Sequence, residues 1–192
     1  NTAISDFTQF LTLPQVVKDK IFYRNDPNEK GSEVGYRRYS KSKGDIDNRE
    51  YFHYNSSADQ NFSEEIIKHQ ELENLIAAMK PIYQIGKKTL DSVLTILGEK
   101  YTGIRDQHFQ KTPHENFYLR FLKYDISKTG DLLATGHYDR GSCTLALAES
   151  APGLRIGLND QNLRVIQHVK NHAIFMTSIK FHDINRGEIK LS

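Results

Sequence analysis

Apolar positions follow a helical rhythm through the first half of the chain and a strand rhythm through the second. Leu72, Leu75, Ile76 and Met79 fall at i, i+3, i+4 and i+7, and Ile82, Ile85, Leu90, Val93, Leu94 and Leu97 carry the stripe onward. Asn61 or Ser63, followed by Glu64 and Glu65, offers a cap and an acidic first turn, and Gly98 offers a stop. Pro81 lacks the amide proton that a helix interior uses. The run therefore predicts one long helix kinked at the proline, or two helices in series, starting near residue 63. An earlier helix is expected over residues 14–22, with Pro14 in its first turn.

Past Asn116 the apolar runs shorten and turn residues separate them. Strands are expected at 117–124, 132–136, 143–148, 154–158, 163–168, 173–179 and 188–191, punctuated by Gly130, Gly141, Pro152-Gly153, Asn159-Asp160 and Asn185-Arg186-Gly187. Short strands at close spacing suggest a sandwich or barrel, and a double-sheet jelly roll is one such solution. Residues 26–61 are rich in Gly, Ser, Asn, Tyr and charge, with β-like segments at 34–39 and 50–54. That stretch is long for a connector, and such loops are often functional. Its rings Tyr36, Tyr39, Tyr51 and Phe52 either wall a pocket or pack the helices onto the sheet.

Charge narrows the partners. Twenty-six basic against 24 acidic residues leave a net charge of +2, with no sustained run of one sign to attract nucleic acid or an anionic membrane. The basic cluster Arg37, Arg38, Lys41 and Lys43 reads as a solvated loop. A single cysteine, Cys143, rules out an intrachain disulfide and fits a reducing cytoplasm. It falls in an expected strand and reads as a small core residue. No stretch approaches the roughly 18 apolar residues of a membrane span, and no signal peptide is visible.

The residues that bear chemistry sit at the end of the expected strand at 132–136. In extended backbone, residues i and i+2 project from the same face, so His137 and Asp139 can converge on one ion. Two histidines and a carboxylate on one face of an octahedron leave open positions, an arrangement suited to oxygen-activating iron(II). Two specified residues also recur by chance. The chain has its own decoy in His69-Gln70-Glu71, where an expected helix would turn the two side chains apart. No Ser or Cys stands in a nucleophile motif, which argues against a hydrolase.

The surroundings of the pair are more specific. The run His137-Tyr138-Asp139-Arg140-Gly141-Ser142-Cys143-Thr144-Leu145 resembles the H-x-D-x-G-x-x-T-L signature of the isopenicillin-N-synthase-like iron(II)/2-oxoglutarate oxygenases. Pro152 to Ile156 is similar to the strand that follows it there, and Leu119-Arg120-Phe121-Leu122-Lys123-Tyr124 to the strand that precedes it. Gly35-Tyr36, the segment from Gly44 to Phe52, and Phe10-Leu11-Thr12-Leu13-Pro14 resemble further family segments, in order along the chain.

The resemblance implies a mainly β fold with α: a double-stranded β-helix (jelly roll) core over residues 116–192, incomplete at its C-terminal end. An N-terminal helical section with substrate-side loops, residues 1–115, would pack on it within one structural domain. It implies His137 and Asp139 as iron ligands, Fe(II) as cofactor and 2-oxoglutarate as co-substrate, with ascorbate a further candidate. Tyr124 becomes a co-substrate contact, against the plainer reading of a packed strand-end ring. Leu122 stands where many members carry asparagine, so one polar contact is lost. The third ligand, a histidine, would follow Ser192, as would the arginine that grips 2-oxoglutarate, and the family's first strands would precede Asn1. His182 is only a weak substitute, too close to the pair for the family's spacing. The implied protein is a cytoplasmic, monomeric oxygenase that uses dioxygen on a small organic substrate, by hydroxylation, desaturation or ring closure, with no nucleic-acid or membrane partner. The alternative is a non-catalytic jelly-roll binding module that has lost its metal site.

Overall fold

The computed structural model describes residues 2–24, 26, 33–40, 48–109, 117–125, 133–134, 136–139, 141–157 and 160–184, the side chains of 40, 48, 160, 183 and 184 excepted. The chain divides into two compact units, Asn1–Lys88 with Phe109–Thr135, and Thr89–His108 with Gly136–Ser192.

The first unit is a helical layer on a three-stranded antiparallel sheet. Its helices are α1 (Thr2–Leu11), α2 (Gln15–Lys20), α3 (Ala58–Asn61), α4 (Ser63–Lys68) and most of α5 (Gln70–Gly98). Its strands are β1 (Gly35–Ser40), β2 (Asn48–Tyr54) and β3 (Leu119–Tyr124), in the order β1-β2-β3. The register sets Tyr36 opposite Phe52 and Phe52 opposite Phe121. Side chains alternate between the faces of a strand, so these rings share one face. That face meets Phe7 and Phe10 of α1: Phe10 lies edge-on to both Tyr36 and Phe52, and Phe7 edge-on to Phe121. Leu72, Leu75, Ile76 and Met79 of α5 complete the core.

The sheet resolves the alternative left open for four rings. Tyr36 and Phe52 are fully buried packing residues, whereas Tyr39 and Tyr51, one position out of phase, belong to the opposite face. Arg37 and Arg38 are strand residues rather than a solvated loop, and Lys41 and Lys43 lie outside the described residues. Lys18, almost wholly buried, reaches the Leu11 carbonyl and Glu50, and Glu50 also accepts a 2.6 Å hydrogen bond from Tyr36. This set ties the α1–α2 junction to the sheet and satisfies charges that would otherwise be buried alone.

The helix expected from residue 63 breaks at His69, not at Pro81. His69 has extended dihedrals (φ −132°, ψ 105°), and its carbonyl accepts from the amides of Leu72 and Glu73 to start α5. The helix runs on through Pro81 because the missing amide proton would have served Ala77, which is exposed, so water can satisfy the orphaned carbonyl. The buried stripe passes from Met79 to Tyr83, Leu90 and Leu94, while Ile85 is 64 % exposed. Six residues past Met79 is about 240° of rotation, which turns Ile85 away from the core. The position before α4 is Phe62, which makes no side-chain cap bond. α5 ends at Gly98 as expected, and α2 follows Pro14 directly.

The second unit holds the end of α5, α6 (Ile104–His108), β4 (Cys143–Ala146), β5 (Arg155–Ile156), β6 (Arg164–Val165), β7 (Ile174–Thr177) and α7 (Ile179–Ile184). β4 pairs antiparallel with β7, and β5 with β6. Phe181 of α7 is fully buried, with ring contacts to Phe175 of β7 and His108 of α6. The strand expected over 173–179 stops at Thr177, and α7 replaces its end. Of the strand expected over 132–136, residues 133, 134 and 136 form bends and irregular backbone, and that expected over 188–191 lies outside the described residues. Among the described residues no sheet closes into a barrel, and no helix is long and apolar enough to cross a membrane.

Candidate metal centre

Gly136 to Asp139 form an irregular segment that leads, past Gly141 and Ser142, into β4. Three backbone bonds hold this path in place: the amides of Ser178, Ile179 and Lys180 donate to the carbonyls of Ser142, Asp139 and Gly141 at 3.0, 3.3 and 3.2 Å. Ile179 and Lys180 open α7, so their amides have no acceptor within that helix, and the segment before β4 supplies one for each. The β7–α7 corner and the His137–Asp139 segment thus complete each other.

On this support the two predicted ligands converge. His137 Nε2 lies 3.7 Å from Asp139 Oδ1, with the side chains 55 % and 41 % exposed. The other carboxylate oxygen, Oδ2, accepts a 2.5 Å hydrogen bond from Thr144 Oγ1. Thr144 pairs with Met176 across the β4–β7 ladder, which fixes the direction of its hydroxyl. A short bond from a hydroxyl to a carboxylate is among the stronger hydrogen bonds and limits carboxylate rotation. Oδ1 is then the oxygen turned toward the imidazole.

The pair fits a transition metal. With metal–ligand bonds of about 2.0–2.2 Å, two atoms on one ion lie at most about 4.4 Å apart, and about 3 Å apart on adjacent octahedral corners. The observed 3.7 Å lies within that span. Asp139 would bind through Oδ1 while Thr144 retains Oδ2, the outer-shell hydrogen bond expected of a ligating carboxylate.

His182 is on α7, and among the described residues no three His, Cys, Asp or Glu side chains gather as a metal set would. Tyr124 ends β3 in the first unit, half-buried and opposite Arg49. The decoy His69 sits at the α4–α5 break with its Nε2 3.4 Å from Glu65. Cys143 is free, and burial pushes its thiol pKa up to about 11. Thr144, which carried no role in the sequence reading, is the residue that orients the carboxylate. Its place in the quoted signature was the available signal.

A second polar cluster, on the open face of the first unit's sheet, gave no sequence signal as a site. His53 is buried, and its Nε2 accepts a 2.7 Å hydrogen bond from Arg120 Nε. The ring proton is therefore on Nδ1, which donates to the Glu33 carbonyl at 3.2 Å. Burial, then the charge of Arg120, lowers the pKa of His53 to about 3.

Comparison of the chain with protein-family models, with curated proteins and with solved structures finds no match.

Proposed function

We propose that this chain belongs to a non-haem iron(II), 2-oxoglutarate-dependent oxygenase that oxidises a small organic substrate with dioxygen. The observation that carries the reading is the 3.7 Å approach of His137 Nε2 to Asp139 Oδ1, with Thr144 holding the second carboxylate oxygen. A chance His-x-Asp match carries no expectation that a hydroxyl five residues further along the chain will hold the carboxylate. Here that hydroxyl belongs to the threonine of the H-x-D-x-G-x-x-T-L signature.

In this reading His137 and Asp139 hold Fe(II), and a histidine beyond the described residues completes the set. The bound metal supplies oxidation of a C–H bond coupled to oxidative decarboxylation of 2-oxoglutarate. The chain's own contribution is orientation: the α7 amides fix the backbone of the ligand segment, and Thr144 keeps Oδ1 free to bind. Tyr124 is the proposed co-substrate contact, ascorbate a candidate reductant and the double-stranded β-helix the proposed fold. A cytoplasmic, monomeric enzyme completes the proposal, and a single cysteine supports a reducing setting.

One rival is a non-catalytic jelly-roll binding module that has lost its metal site. Anaerobic titration of the complete protein with iron(II) and 2-oxoglutarate separates the two. The oxygenase gives a weak visible charge-transfer band that His137→Ala and Asp139→Ala abolish. A folded protein that develops no band is the binding module.

A further inference from the structure

One face of the first unit's sheet packs on the helices; on the other, Tyr51 and His53 are buried while Arg120 and Tyr118 stay exposed. This second face presents Arg37, Arg49 and Arg120 among tyrosine rings. Register places Arg37 beside Tyr51, Tyr39 beside Arg49 and His53 beside Arg120. The guanidinium of Arg120 lies 5.2 Å from the Tyr51 ring and 5.7 Å from the Tyr118 ring, and that of Arg37 lies 5.6 Å from the Tyr23 ring.

Guanidiniums are commonly paired with carboxylates; among the described residues Arg37 and Arg120 have no such partner. Among the described residues, Arg37 and Arg120 have only ring neighbours and, for Arg120, the imidazole of His53. Arg120 is held by a neutral acceptor. Its Nε is committed to His53 while both Nη groups, carrying most of its five N–H donors, remain available on an exposed side chain. A carboxylate partner would have cancelled the charge; a neutral histidine positions the group and leaves the charge intact. The same field acts on His53, whose proton affinity is lowered by Arg120, Arg37 and Arg49 in addition to burial.

The aromatic side of the arrangement is equally open. Tyr118 stacks one face of its ring on His53, with centroids 4.4 Å apart and planes inclined by 21°, yet remains 48 % exposed. A flat ligand can extend that stack. The two Nη groups of Arg120 match the two oxygens of a carboxylate in a bidentate pair. With cation and ring this close, the best match is an acid whose carboxylate is joined directly to a ring.

We propose that this face binds a ring-bearing organic carboxylate, the acid group on Arg120, the ring on Tyr118 and Arg37 supplying the second positive charge. The site lies wholly within the first unit and does not depend on iron, so it is tested without metal.

Benzoate is titrated into the full chain in the presence of a chelator, followed by calorimetry and ligand-observed nuclear magnetic resonance. Saturable binding at ~1 mM or tighter is expected. Benzamide, the neutral isostere, should bind at least tenfold more weakly. Arg120→Gln should reduce benzoate affinity at least tenfold and Arg37→Gln several-fold. Tyr118→Ala, at an exposed position, should reduce it several-fold with the circular dichroism spectrum unchanged. The proposal is overturned if benzoate fails to saturate the folded protein, or if Arg120→Gln and Tyr118→Ala bind it as well as the parent. Inorganic phosphate displacing benzoate with equal affinity would also overturn it, because the face would then recognise any anion.

Discussion

The hydroxyl of Thr144 donates to Oδ2 of Asp139 at 2.5 Å and so leaves Oδ1 as the oxygen nearest His137. Removing an outer-shell partner of a metal ligand typically weakens metal binding 10- to 100-fold. Thr144→Val, which keeps the shape and loses the hydroxyl, should therefore weaken iron(II) binding by roughly that factor, while Thr144→Ser should retain most of it. Competitive titration of iron(II) against a chelator reads the difference. Equal affinity in the Val variant would remove Thr144 from the site.

The buried His53 makes stability depend on pH in a defined direction. Its folded pKa is lowered to about 3 by burial and by Arg120, against an unfolded value near 6.5. Above about pH 6.5 neither state binds the proton; below it the unfolded chain takes one up and the folded chain does not. Stability should fall as the pH drops from about 6.5 toward 3, by about 1 kcal/mol per pH unit from this residue alone. His53→Gln, which can still accept from Arg120 and donate to Glu33, should flatten this dependence. Urea denaturation at pH 7, 6, 5 and 4 is the check. Parallel curves for parent and variant would mean that His53 titrates normally.

Two glycines should respond oppositely to a methyl group. Gly35 has φ +117°, and a Cβ there would stand 2.3 Å from the carbonyl oxygen of Ile21, the same oxygen that accepts from the Tyr36 amide. Both backbone strain and collision oppose alanine, so Gly35→Ala should lose about 2 kcal/mol or more. Gly141 lies inside the signature, yet a Cβ there meets nothing within 4 Å. Gly141→Ala should change stability by less than about 0.5 kcal/mol. Thermal denaturation of the pair of variants decides, and equal losses would contradict the packing described around Gly35.

Cys143 should be a slow nucleophile despite its place beside the candidate metal centre. Its pKa, raised by burial to about 11, leaves roughly 0.1 % thiolate at pH 8. Reaction with a disulfide reagent should be far slower than for a model thiol and should rise about tenfold per pH unit up to pH 10. Rapid labelling of the native protein at pH 7 would show that the β4–β7 pair opens readily.

Much of the local structure was legible in the chain. The 3.6-residue stripe from Leu72 to Met79 announced α5, because such a period reflects one buried face and needs no knowledge of the partner, and short β-like segments bounded by turn residues announced β1, β2 and β3. His137 and Asp139 approach each other on irregular backbone rather than on the strand that the sequence suggested. Errors came where a neighbour decided. Pro81 does not break α5 because its turn faces water, Ile85 turns away from the buried stripe that Tyr83 continues, and α7 ends an expected strand where the carbonyls of Asp139 and Gly141 accept its first amides.

The open face of the sheet shows the limit most clearly. Arg120 and His53 are 67 residues apart, and nothing near either of them in sequence marks the pair. Sequence alone located the main helical stripe of α5 and the stretches that become β1, β2 and β3. Tertiary structure alone decided which distant groups share a face, which histidine is buried neutral and which arginines keep their charge. Periodicity is a property of a segment, whereas burial, hydrogen-bond partners and electrostatic fields arise only when segments from different parts of the chain are brought together.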